Sequence, residues 1–86
     1  MTSKAITAMI DAAYSMLAAA RKEKRSKVCV ALSWEATHLA KRAFRFAQPD
    51  EADHVPGLSI SAEDEMTIID LCHEAESLRR AQGVEP

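Results

Sequence analysis

Apolar side chains recur along the chain at intervals of three and four residues, with polar ones between them, which is the periodicity of an amphipathic helix. The first stripe is Ile6, Ile10, Ala13, Tyr14 and Leu17, flanked by Met9, Met16 and Ala20. The second is Val28, Leu32, Ala36, Leu39, Ala43 and Phe46, and the third is Ile68, Leu71, Cys72, Ala75 and Leu78. These stripes predict helices over about residues 3–21, 27–47 and 61–82, joined by a loop over residues 48–60.

The ends of these segments carry their own signals. Ser3 and Ser26 stand where N-caps belong, because a serine oxygen can accept from the free N–H groups of a first turn. Ser61 with Asp64 three residues on resembles a capping box, and Glu63, Asp64 and Glu65 suit the positive end of a helix dipole. Arg79 and Arg80 suit the opposite end, with Gly83 just beyond it. Pro49-Asp50-Glu51 and Val55-Pro56-Gly57 read as turns. The connection at residues 21–27 holds no Gly, Pro or Asn, so it reads either as a turn or as a solvated stretch of one long helix. Residues 28–32 have the composition of a strand, but no second strand is available to pair with it, and helix prevails. The expected fold is all-α, a small bundle of about three helices within a single domain, or one long broken helix with a shorter one packed antiparallel.

Composition limits what this core can do. Of 41 apolar residues in the 86, sixteen are alanine, a strong helix former that buries little area. One thin core follows, too small for a Rossmann unit or a barrel enzyme, and association is a natural source of further stability. Two cysteines, Cys29 and Cys72, are too few for a disulfide scaffold. Both lie inside helical patterns and are expected as buried free thiols in a reducing compartment. The apolar stretch over residues 5–20 loosely imitates a leader segment, but Asp11 interrupts it, it keeps helical amphipathicity, and it is shorter than the roughly 20 residues of a membrane span. A cytoplasmic protein without a membrane segment is expected.

The formal charge of −2 hides a strong asymmetry. Residues 1–47 hold nine Lys and Arg against Asp11, Glu23 and Glu35, a net +6; residues 48–86 hold Arg79 and Arg80 against ten acids, a net −8. Such segregation either sets an acidic third helix against a basic pair or leaves poles that dock partners of opposite sign. Within the second helix, Val30, Trp34, Lys41 and Arg45 project away from the Leu32–Leu39 side, with His38 at their margin. An aromatic residue among cations suits a protein-recognition hot spot, or a surface that stacks bases and holds phosphates. A second basic cluster, Arg21, Lys22, Lys24, Arg25 and Lys27, is diluted by Glu23 and reads as a solvated connector.

Signals for other chemistry are weak. Glu35 with His38, and Asp70 with His73, have the spacing of di-iron bundle ligands, yet a complete inward-facing carboxylate set is missing, so no metal is expected. Cys72 and His73 are sequence neighbours and point about 100° apart, a poor arrangement for a thiolate–imidazole pair. His54 lies in the acidic loop beside Asp53, and no phosphate-binding glycine loop or nucleophile elbow occurs. Neither an enzyme nor a bound cofactor is expected. The small-residue side of the first helix, Ala5, Ala8, Ala12 and Ala19, suits either solvent or close self-association. The leading expectation is a non-enzymatic protein–protein interaction module, an adaptor, subunit or inhibitor, docking through Val30, Trp34, His38, Lys41 and Arg45 and through the acidic third helix. A homodimer is a further expectation, and nucleic-acid binding by the basic half is the alternative.

Overall fold

The computed structural model describes residues 1–84 and folds them into three helices, α1 (Lys4–Lys22), α2 (Ser26–Ala47) and α3 (Ala62–Ala81). No strand occurs among the described residues. The all-α bundle expected from periodicity is what forms, in its three-helix version. α1 and α3 run parallel, since the Ser3 N–H donates to the Ser59 carbonyl at 3.0 Å while Arg21 reaches Glu74. α2 runs antiparallel to both and lies between them. The long axis measures 40 Å against 21 and 19 Å across.

The core joins Ile6, Ile10, Ala13 and Leu17 of α1, Ala36, Ala40, Ala43 and Ala47 of α2, and Ile68, Leu71 and Ala75 of α3. The buried face of α2 departs from the expected stripe. Cys29, Ser33, Ala36, Thr37, Ala40, Ala43 and Ala47 are buried, whereas Val28, Leu32, Leu39 and Phe46 are only half-buried. The helix is rotated by about one residue. A helix clamped on two sides puts its smallest side chains at the closest approach and its larger ones on the shoulders, where there is room. Tyr14 of α1 likewise stays 40% exposed beside a stripe that otherwise holds.

Three helix ends explain how the chain turns without conspicuous breakers. Between α1 and α2, Glu23 and Arg25 adopt extended backbone. The Glu23 carboxylate accepts from the Arg25 N–H at 3.0 Å and from its Nε at 2.9 Å. Those bonds hold the Glu23 carboxyl down at about 2 instead of 4.5. Ser26 is the first residue of α2 and not its cap; Arg25 occupies that position and makes no side-chain cap bond. Ser3 sits at the cap of α1, but its Oγ accepts from the Ser59 N–H at 2.9 Å, tying the chain start to the long loop.

Ser61 caps α3 as expected, accepting from the Asp64 N–H at 3.1 Å. Asp64 does not reciprocate. The Ser61 N–H donates instead to Thr2 Oγ1 at 3.0 Å, and Thr2 in turn donates to Asp64. At the far end the Gly83 N–H donates to the Arg80 carbonyl and the Val84 N–H to that of Arg79, a Schellman closure with Gly83 at φ +79°. The loop between α2 and α3 folds back on the core. The Val55 N–H donates to the Phe46 carbonyl, Gly57 at φ +92° completes the Pro56 turn, and Leu58 and Ile60 pack against the bundle.

Candidate functional site

Because α2 lies between its neighbours, two of the side chains expected to face away from the bundle, Lys41 and Arg45, border a groove between α2 and α3. Lys41, Phe44 and Arg45 from α2, and Ile68, Ile69, Cys72, His73 and Glu76 from α3, border an open groove of about 540 Å³, closed at one end by Glu51 of the loop. Ile69 is 44% exposed, and Met66, one turn earlier, is 55% exposed. A contiguous polar cleft on the α2 side is lined by His38, Lys41, Arg42 and Arg45.

The five expected docking residues are therefore neighbours along one helix side, in different surroundings. His38 and Lys41 are exposed, and Val30, Trp34 and Arg45 are partly buried. Arg45 leans toward the loop and pairs with Asp53 at 3.3 Å. Trp34 does not project freely. The Arg79 guanidinium carbon lies 3.7 Å from the centre of its ring, and the His38 ring meets it edge-on at 5.5 Å.

Arg79 is the residue the sequence disguised. Its place in the last turn of α3 suited a solvated cation answering the helix dipole, yet it is only 3% exposed. Its Nη1 donates to Thr37 Oγ1 at 3.1 Å and to Ser33 Oγ at 3.4 Å, while its Nε is buried without a partner. Burial lowers its pKa, with Glu76 and Cys72 acting the other way. It keeps its proton regardless, since a guanidinium does not deprotonate in a protein. A signal for this was present: Arg79 lies four residues after Ala75 and eight after Leu71, in line with the α3 stripe. Ser33 and Thr37 form a matching polar pair four residues apart on the buried side of α2.

Cys72 lines the groove half-buried and is not sealed in the core as Cys29 is. Burial raises its pKa against the opposing pull of Lys41 and Arg79, so the thiol stays protonated and unactivated. The paired residues with metal-ligand spacing, Glu35 with His38 and Asp70 with His73, are all exposed on different helices. Among the described residues no three His, Cys, Asp or Glu side chains converge on a point that could hold an ion.

Charge segregation persists at the surface. Of the four ion pairs among the described residues, Arg21–Glu74 and Arg45–Asp53 join the basic half to the acidic half, whereas Arg25–Glu23 and Arg80–Glu76 are local. Among the described residues Lys41 and Arg42 take part in none. No helix is long and apolar enough to cross a membrane. Comparison with protein-family models, curated proteins and solved structures gives no match for this chain.

Proposed function

We propose that this chain is a non-enzymatic protein–protein interaction module that docks its partner in the groove between α2 and α3. The observation that carries this reading is the pairing, in one open groove, of the exposed Ile69 of α3 with Lys41 of α2, a cation without an ion-pair partner among the described residues. Apolar contact supplies the association energy, and charged rims supply orientation and speed of encounter. Lys41 and Arg45 act as one wall, with His38 in the adjoining polar cleft, and α3 as the other. Val30 and Trp34 lie outside the groove, Trp34 as the platform that seats Arg79; the partner meets Lys41, Phe44 and Ile69.

The same geometry weighs against nucleic acid as the ligand. Stacking by bases needs an open aromatic face, and the ring of Trp34 carries Arg79 on one face and His38 at its edge. The acidic groups Glu51 and Glu76 also border the groove. No retarded DNA or RNA band is expected even at about 50 mM salt, where phosphate contacts are strongest.

Affinity capture compares the wild type with Ile69→Asp, a change at an exposed position, and with a control Ala8→Asp on the outer side of α1. A partner retained by the wild type and the control but lost by Ile69→Asp, with helical circular dichroism unchanged, is the expected outcome. Identical capture by all three would place docking elsewhere.

A further inference from the structure

Across the groove, the order of side chains complements itself. One rim, on α2, is cationic through Lys41, Arg42 and Arg45, the last paired with Asp53, with His38 beside them. The floor is apolar, formed by Phe44, Ile68, Ile69 and Cys72, and the opposite rim belongs to α3 and carries Glu76. Of the six acids of α3, Glu74 is turned to Arg21 of α1, and Glu76, in an exposed local pair with Arg80, is the one that borders the groove. The sequence of positive rim, apolar floor and negative rim reverses its sign across the long axis of the groove.

That antisymmetry selects an occupant. Rotating a second molecule by a half turn about an axis along the groove lays its α2 over the first molecule's α3, antiparallel, and its α3 over the first molecule's α2. Both cationic rims then face acidic rims, and Ile69 of each copy enters the other's apolar floor. A half turn about the axis crossing the groove would instead set cation over cation. Only one of the two face-to-face pairings is attractive at both rims, which is the condition for a closed isologous contact.

From this we infer that the groove is occupied by a second copy of this chain, in a two-fold pair that brings α2 and α3 of each copy into a shared four-helix layer. The inference rests on the groove being a docking surface and names what docks there. The composition of the core supports it: among the described residues seven of the thirteen buried apolar side chains are alanine, while Met66 and Ile69 remain in water. Pairing supplies the burial that the isolated bundle lacks.

The test uses sedimentation velocity and light scattering on the full chain at tens of micromolar, with three samples: Lys41→Glu, Glu76→Lys, and their equimolar mixture. The wild type is expected at about twice 9.4 kDa. Each single variant sets like charges against each other at both rims and is expected as a monomer, its dissociation constant raised roughly tenfold or more. In the mixture every altered rim meets its complement, and the dimer mass returns. Circular dichroism of each variant guards against unfolding, since Lys41 is solvent-exposed and Glu76 borders solvent. A monomeric wild type overturns the inference, and so does a dimer that neither variant disturbs. If the wild type is monomeric yet Ile69→Asp still abolishes capture of a cellular partner, self-pairing falls while the docking role of the groove stands. If capture is also indifferent to Ile69→Asp, both fall.

Discussion

At position 79 the chain buries a permanent cation with no carboxylate bonded to it, Glu76 acting only at a distance. Such a group loses its hydration and recovers only part of it, here from two hydroxyls and the indole of Trp34. Its value is geometric: the flat guanidinium reaches from α3 to Ser33, Thr37 and Trp34 of α2. Arg79→Met keeps most of that volume and removes the desolvated charge, so stability is expected to hold within about 1 kcal/mol or to rise. Arg79→Ala keeps neither volume nor contacts and is expected to cost about 2–4 kcal/mol. Urea unfolding of the two variants distinguishes a space-filling role from an electrostatic one; an equal, large loss in both would make the charge itself indispensable.

The acid at position 23 acts on a smaller scale. Its carboxyl is held at about 2 by Arg25, below the ordinary 4.5. A depressed carboxylate contributes to stability above the ordinary value, and that contribution disappears as pH falls through about 2. Arg25 is exposed and Glu23 only partly buried, so the role of the contact is to shape the turn. A side-chain carboxyl NMR titration is expected to place the Glu23 midpoint well below the ordinary 4.5, with Arg25→Ala returning it toward 4.5. An unchanged midpoint in that variant would assign the turn to backbone alone.

Element by element, the helices were legible from periodicity because each has a continuous apolar stripe and because Ser61 and Gly83 mark the ends of α3. The break after α1 was not legible in residue type, since a salt-bridged Glu-Lys-Arg replaces the usual glycine or proline. The rotation of α2 was hidden for a different reason. A hydrophobicity pattern weights leucine over alanine, whereas a helix pressed between two others is governed by size, so Ala36, Ala40 and Ala43 go inward and Leu32 and Leu39 move to the flanks. The candidate site suffered from the same rotation: the basic strip of α2 was visible, but its acidic and apolar counterpart on α3 required knowing which way both helices face. Replacing Ser61 by Ala removes the bond from the Asp64 N–H and is expected to cost about 1 kcal/mol. Thermal unfolding measures it; no loss would mean that Thr2 alone secures the start of α3.

The molecule as a whole is an elongated bundle whose charge is divided between its first two helices and its third. The division does little for the stability of the single chain, because among the described residues two exposed ion pairs join the two halves and such pairs contribute about 0–1 kcal/mol each. Its larger consequence is a groove with Lys41 on one rim, Glu76 on the other and an apolar floor between them, which we propose as a recognition surface and as its own complement. The most direct test is a concentration series of amide NMR spectra on the uniformly labelled chain. The account predicts shifts confined to residues 38–45 of α2 and 69–76 of α3, growing with concentration and suppressed by salt. Shifts on the Ala5, Ala8, Ala12 and Ala19 side of α1 with the groove amides unmoved, or a spectrum that does not change at all, would contradict it.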